Sequence, residues 1–118
     1  MKKVLNLSNH VLTEAQVSEL TEKGYEIVEL SDSDKKVWGQ LDPYNYKEVI
    51  YEILSTYSAD LFHVAGFPPA VVYAVEHIKD LDKKAIYAYS VRESIEEHLP
   101  DGSVIKKNIF KHIKFFEY

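Results

Sequence analysis

The chain has 118 residues, of which 46% are hydrophobic, and this predicts one domain over residues 1–118 with its own core. The net charge of −5 argues against binding to long nucleic acid, and no apolar run approaches the roughly 20 residues that a membrane helix needs. Met1 is not followed by a signal-peptide pattern, so we expect a cytoplasmic protein, and the absence of cysteine excludes disulfides, thiolate catalysis and cysteine zinc sites.

The first strand is predicted over residues 2–7, where Val4, Leu5 and Leu7 are apolar. Ser8, Asn9 and His10 lie just beyond its end. These three polar residues are therefore expected at an edge of a sheet.

A helix follows, because Thr13 and Gln16 have the spacing of a capping box and Gly24 is typical of a helix end. Residues 25–30 then form the predicted second strand. This is the pattern of a β-α-β unit.

The next segment, residues 31–43, is polar and irregular apart from three apolar side chains. The spacing of Val37, Trp38 and Leu41 allows one or two helical turns that cover an edge of the core, and Trp38 is expected to be a core residue. Residues 44–57 are predicted as a full helix.

Residues 61–65 form a short apolar run that suits a strand buried on both faces of a parallel sheet. Gly66 and Pro68 then mark a direct passage into a helix that runs to about Leu81. In open α/β sheets, ligands bind outside the carboxyl ends of the strands, and helix N-termini attract anions there. The junction is therefore a candidate binding site, with a plain strand-to-helix turn as the alternative.

The fourth strand is predicted over residues 84–90, so that residues 90–94 follow its end. Asp101-Gly102 is a strong two-residue hairpin signal, which places Glu97 opposite Lys106 and Glu96 opposite Lys107. In the second hairpin strand, the three isoleucines at 105, 109 and 113 are expected on a packed face. The last 18 residues carry a net charge of +2 and the rest −7, so a local anion site is compatible with the acidic total.

The predicted fold class is α/β, a Rossmann-like three-layer sandwich with a mainly parallel sheet and a C-terminal β-hairpin. If the first and third strands are neighbours, segments 8–10, 66–69 and 90–94 meet at one crevice. Arg92 suits a phosphodiester there, because a guanidinium can donate two hydrogen bonds to phosphate oxygens. No histidine or carboxylate spacing indicates a metal site, so neither a metal nor a cofactor is expected.

Alternatives stand beside each candidate. Ser8 and Asn9 can serve only to cap the loop before the first helix, and Arg92 can pair with Glu93 or Glu96 at the surface. His10 carries a side chain that could act as an acid or base, or it could simply face solvent.

The chain resembles small Rossmann-like proteins encoded with type III CRISPR systems, which are relatives of the CARF (CRISPR-associated Rossmann fold) domains. The likeness covers most of the chain. It rests on LSNHVLTEAQ after the first strand, HVAGFPPAVVYAVEH at the third strand-to-helix junction, YAYSVRES after the fourth strand, and the closing hairpin ESIEEHLPDGSVIKKNIFKHIKF, which continues into NIFKHIKFFEY.

The resemblance implies recognition of cyclic oligoadenylate, most of all cyclic tetraadenylate, by a C2 homodimer. Some members of the group look like ring nucleases, in which the ribose 2′-hydroxyl attacks the adjacent phosphate without a metal. On that reading the catalytic residues are Arg92 at the scissile phosphate, Ser8 and Asn9 at the ribose and His10 as general acid, and the ligand-binding residues are Gly66, Phe67, Pro68, Ser90 and Ser94. A non-catalytic sensor or sponge for the same messenger is one alternative, and an interaction domain that binds no nucleotide is the other.

Overall fold

The computed structural model describes residues 1–118 and contains five strands and four helices. In chain order they are β1 (Lys2–Leu7), α1 (Glu14–Glu22), β2 (Tyr25–Glu29), α2 (Asp32–Trp38), α3 (Tyr46–Thr56), β3 (Leu61–Val64), α4 (Pro68–Asp80), β4 (Lys84–His98) and β5 (Val104–Glu117). The α/β class and the alternation of strands and helices are confirmed. The helix expected over residues 44–57 is shorter by two residues at its start and one at its end.

All five strands belong to one sheet in the order β2-β1-β3-β4-β5. The first four strands run parallel, and β5 returns antiparallel to β4 as the predicted C-terminal hairpin. The expectation that the first and third strands are neighbours is confirmed, since β1 pairs with β3 from Val4 opposite Leu61 to Leu7 opposite Val64. The carboxyl ends of β1 and β3 therefore lie side by side.

The helix α1 begins with the capping box that its sequence predicts. Thr13 Oγ1 accepts from the Gln16 amide at 3.2 Å, and Gln16 Oε1 accepts from the Thr13 amide at 2.9 Å. After the helix ends, Gly24 adopts a φ of +88°, which a residue with a side chain rarely does. Local sequence thus fixes both ends of this helix.

Successive residues of the central strands contribute to two different hydrophobic clusters. Leu5 and Phe62 belong to the larger cluster, which includes buried residues of α3 and α4, whereas Val4 and Leu61 belong to the smaller one with Leu20 of α1. Because side chains alternate across a strand, both faces of β1 and β3 are buried.

Trp38 belongs to the larger cluster and lies near the end of β3. It is a core residue, as the sequence predicts. Its side chain is 2% exposed, and its Nε1 donates a hydrogen bond to the Ala65 carbonyl oxygen at 2.8 Å. A Cβ atom at Gly66 would lie only 2.8 Å from that Nε1, and Gly66 has a φ of +147°. These contacts directly support the alternative prediction, that Gly66 is required by the geometry of the strand-to-helix turn.

The fourth strand does not end at Ser90 as the sequence suggested. It continues to His98 and pairs with β5 almost to the turn. Beyond the ends of the other three strands, β4 and β5 form hydrogen bonds only with each other. We call residues 90–112 the arm. The arm elongates the molecule to 57 Å and raises the radius of gyration to 17.1 Å, against about 13–14 Å for a compact domain of this length.

The predicted pairing of Glu97 with Lys106 and of Glu96 with Lys107 is wrong by one residue. The structure pairs Glu96 with Lys106, and Lys107 bonds diagonally to Glu97 at 2.6 Å. The cause is the turn, in which the Leu99 amide bonds to the Ser103 carbonyl oxygen, so the loop has three residues rather than two. An irregularity at Tyr89 and Ser90 shifts the register again at the base of the arm.

The packed face expected for the second hairpin strand is also absent. Ile105 and Ile109 are each 41% exposed and Ile113 is 47% exposed. The expectation failed because the outer part of the arm projects beyond the helices, while its base is joined to α1 through His112 and Glu19 and leaves Ile109 and Ile113 exposed.

Candidate functional site

A groove of about 680 Å³ lies where the carboxyl ends of β1 and β3 meet α4. We call it the edge groove. Its walls are mostly apolar, and they come from the loop after β1, the start of α1, the end of β3, the first turns of α4, β4 and the last residue of the chain. The lining residues include His10, Thr13, Gln16, His63, Gly66, Pro68, Val71, Tyr87 and Tyr118.

A buried polar network lies beneath this groove and links β1 to β3. Asn6 Oδ1 is 2.9 Å from His63 Nδ1 and 2.7 Å from Ser8 Oγ. Asn6 Nδ2 donates to the His10 carbonyl oxygen at 2.9 Å and to the Glu29 carboxylate. Ser8 Oγ also accepts a hydrogen bond from the His10 amide at 3.2 Å. The network thus uses every polar atom of the Asn6 side chain.

These partners fix the tautomer of His63. Because Asn6 Nδ2 faces two acceptors, Oδ1 is the acceptor on its other side, and His63 Nδ1 must carry the hydrogen. The proton-bearing nitrogen thus points at Asn6, and Nε2 holds the free lone pair of a neutral ring.

The surroundings keep His63 neutral. Its side chain is 4% exposed, and burial, with smaller contributions from the positive charges of His10 and His112, lowers its pKa from 6.5 to about 4. His63 lines the edge groove, and its Nε2 has no hydrogen-bond partner in the protein. The floor of the groove therefore offers a hydrogen-bond acceptor that stays unprotonated at neutral pH.

The three residues expected after β1 have three different positions. His10 is exposed and lines the edge groove. Ser8 is fully buried below it and holds the loop through the network, so it supports the groove without facing it. Asn9 is exposed and lines neither this groove nor the next, and its Nδ2 lies beside Gly39 at the end of α2.

At the junction before α4, Gly66 and Pro68 line the edge groove, but Phe67 does not. Phe67 instead packs edge-on against Tyr46, with ring centroids 6.3 Å apart. Pro68 and Pro69 lack amide hydrogens, so only Ala70 carries an N–H among the first three residues of the helix. The N-terminus of α4 is consequently a weaker anion site than the sequence suggested.

The remaining candidates lie on the arm, because β4 continues where a loop was expected. Ser90 lines a second groove of about 770 Å³ between the arm and α1, which we call the arm groove. Arg92 is exposed, lines neither groove and forms no ion pair, so the expected surface pairing is absent, whereas the phosphate role stays a prediction. Ser94 donates a hydrogen bond across the arm to Asn108 at 2.8 Å.

The two grooves adjoin, since Thr13 and Gln16 line both. The arm groove also contains His112, whose Nε2 is 2.8 Å from Glu19 Oε1 and whose Nδ1 is buried without a partner. The Glu19 carboxylate further accepts from the Phe115 amide at 3.1 Å. Burial raises the pKa of Glu19, but the hydrogen bonds from Lys23, His112 and Phe115 outweigh it and lower the pKa below 4.5.

No group of three or more histidine, aspartate or glutamate side chains is placed to hold a metal ion. None of the four helices has the length and apolar character needed to cross a bilayer.

Comparison with known families assigns nearly the whole chain, because one family model matches residues 2–116. The chain belongs to the uncharacterized protein MJ1673 family. No curated protein and no solved structure matches the chain. Family membership thus covers both the strands that carry the network and the arm.

Neither Asn6 nor His63 was predicted from the sequence as a residue of the site. The signal that could have found them is their position: each is the only polar side chain in a buried stretch of a central strand, and the register places them directly opposite each other. Tyr118 was also missed. Its hydroxyl donates to the Val64 carbonyl oxygen at 2.6 Å, which brings the C-terminal residue to the wall of the edge groove.

Proposed function

We propose that this protein binds cyclic oligoadenylate, with cyclic tetraadenylate as its main ligand, along the edge groove, and that it linearises the ring. The observation that carries the proposal is the neutral His63 at the floor of a mostly apolar groove at the carboxyl edge of the sheet. Such a groove suits a nucleoside, because apolar walls accommodate a base and a fixed acceptor receives a hydrogen bond from a ribose hydroxyl.

A more specific description of the fold is part of the same proposal. The strand order 2-1-3-4-5 is one of the doubly wound orders, in which ligands bind at the point where neighbouring connections diverge. In this protein that point lies between β1 and β3, directly above Asn6 and His63. A Rossmann-like, three-layer arrangement is therefore the architecture that we propose.

Cleavage needs little from the protein in this scheme. The ribose 2′-oxygen attacks the adjacent phosphorus and the bond from phosphorus to the 5′-oxygen breaks, which leaves a 2′,3′-cyclic phosphate and a 5′-hydroxyl. His63 Nε2 holds the 2′-hydroxyl in position by accepting its hydrogen bond, and the hydroxyl proton passes to solvent water as the 2′-oxygen attacks. His10, exposed at the groove, gives a proton to the departing 5′-oxygen.

The position of Arg92 favours a second candidate function. Arg92 lies on the arm and lines neither groove, so a bound phosphate in the edge groove lacks the guanidinium that would stabilise a transition state. A protein that binds the ring without cutting it, as a sensor or sponge, needs no such group.

A cleavage assay distinguishes the two functions. The purified protein is mixed with cyclic tetraadenylate in EDTA, and linear products are followed by chromatography together with a binding measurement. Linear products that disappear in His10→Ala support the ring nuclease, and Arg92→Ala tests whether the arm takes part. Binding without products establishes the sensor or sponge, and the absence of both refutes the proposal.

A further inference from the structure

One face of β4 and β5 carries aromatic side chains next to the edge groove. Tyr87 and Tyr89 lie two residues apart on β4 and therefore share a face, and the register sets Phe116 opposite Tyr87. The ring centroid of Tyr118 lies 4.9 Å from that of Tyr87. We call Tyr87, Tyr89, Phe116 and Tyr118 the aromatic ledge.

Three rings of the ledge are open to solvent. Tyr87 is 37% exposed, Tyr89 is 47% exposed and Phe116 is 40% exposed. No other ring stacks on Tyr89, because its one aromatic contact, with Phe116, has an interplanar angle of 82°. Exposed aromatic side chains on a β-sheet are a recurring platform on which nucleobases stack. The ledge therefore has the chemistry of a base-binding surface.

A cation without an acidic partner accompanies these rings. Lys114 pairs with Tyr89 in the register, and its Nζ lies 5.3 Å from the centroid of the Phe116 ring. Lys114 forms no ion pair. Surfaces that bind single-stranded nucleotides combine stacking rings with positive charge along the phosphates, so Lys114 complements the ledge.

The ledge continues the edge groove, since Tyr87 and Tyr118 belong to both. The groove has a volume of about 680 Å³, and sites of about 300–1,000 Å³ enclose one drug-sized ligand. A ring of four nucleotides therefore extends beyond the groove. The arm groove, which also adjoins it, is lined mostly by polar side chains, so the ledge is the neighbouring surface that suits a base.

We propose that the aromatic ledge is a second base-binding subsite, on which one adenine of the cyclic oligoadenylate stacks against Tyr89 while the neighbouring nucleotide occupies the edge groove. Lys114 contacts the phosphate that joins these two nucleotides. The inference rests on the proposed function, because it extends the site of the same ligand. It adds a consequence that the edge groove alone does not have, since the loss of an aromatic ring outside the groove weakens binding.

Two substitutions of Tyr89 separate stacking from other contacts. Tyr89→Phe keeps the ring, whereas Tyr89→Leu keeps an apolar side chain without one. Lys114→Gln removes the charge and tests the phosphate contact independently. Tyr51→Leu is the matched control, because Tyr51 is an exposed tyrosine on α3 that lines neither groove. Thermal unfolding checks that each variant folds.

Equilibrium binding of cyclic tetraadenylate in EDTA is then compared among these proteins. We expect wild-type affinity for Tyr89→Phe and Tyr51→Leu, and binding that is about 5- to 150-fold weaker for Tyr89→Leu, as for the loss of one base–aromatic stack. Lys114→Gln should bind more weakly in low salt and lose less affinity than the wild type as salt is added.

Two kinds of failure are distinguishable. If the wild type binds and either Tyr89→Leu or Lys114→Gln binds equally well, the ledge proposal is overturned while the proposed function stands. Equal weakening by Tyr89→Phe and Tyr89→Leu also overturns it, because stacking does not need the hydroxyl group. A wild-type chain that does not bind cyclic tetraadenylate overturns the proposed function and the ledge together.

Discussion

Replacement of Gly66 by alanine is expected to destabilise the protein strongly, because two separate costs coincide there. A φ of +147° is one that residues with a side chain rarely adopt, at a cost of about 1–3 kcal/mol. The new Cβ would lie 2.8 Å from Trp38 Nε1. Moving the indole costs about 1 kcal/mol for its hydrogen bond to Ala65 and about 1–3 kcal/mol for repacking.

The sum is about 3–7 kcal/mol, a large share of the total stability of a domain of this size. At about 4 °C per kcal/mol for a domain of this length, the melting temperature should fall by about 12–28 °C. Gly24→Ala is the control, since Gly24 has a φ of +88° but no atom within 4 Å of a new Cβ. It should cost only about 1–2 kcal/mol.

Thermal and urea unfolding of both variants measures the difference. In a protein that already carries Trp38→Leu, Gly66→Ala should lower the free energy of unfolding by less than it does in the wild type, because the atom that clashes with the new Cβ is then absent. If Gly66→Ala proves no more destabilising than Gly24→Ala, the argument that Trp38 imposes this glycine is wrong.

Two further predictions concern the histidines. The pKa of His63 is about 4 in the folded protein and 6.5 when exposed, so the unfolded chain binds more protons between these values and stability falls as the pH is lowered. From pH 7 to pH 5 the wild type should lose about 2 kcal/mol more than His63→Gln in urea unfolding, and parallel pH profiles would contradict the buried neutral state. Glu19→Ala removes the acceptor for both His112 and the Phe115 amide, so we expect a loss of about 1–3 kcal/mol and faster amide exchange at Phe115. Unchanged exchange there would show that Glu19 does not hold the base of the arm.

The sequence was sufficient for the parts of the fold that local chemistry determines. The capping box at Thr13, the apolar run before Gly66 and the prolines after it predict α1, β3 and α4 to within about two residues, and all three are confirmed. Trp38 was also placed correctly, because a lone tryptophan among polar residues favours burial.

The hairpin was predicted from Asp101-Gly102, but the continuation of β4 through Ser90 was not, because it depends on pairing with β5 along the whole length of the arm. This continuation moved Arg92 and Ser94 from a crevice onto the arm. The turn of three residues rather than two changed only the register of the pairing. The roles of Asn6 and His63 were hidden for another reason, since only the register of β1 against β3 shows that they face each other.

The central claim is that the edge groove binds cyclic oligoadenylate through the lone pair of His63. Equilibrium binding of cyclic tetraadenylate in EDTA tests it most directly, with His63→Gln compared against His98→Gln, an exposed histidine far out on the arm. The account predicts that the wild type and the His98 variant bind equally and that the His63 variant binds about 10-fold more weakly, as expected for a lost hydrogen bond. Equal binding by all three proteins, or binding by none, would contradict it.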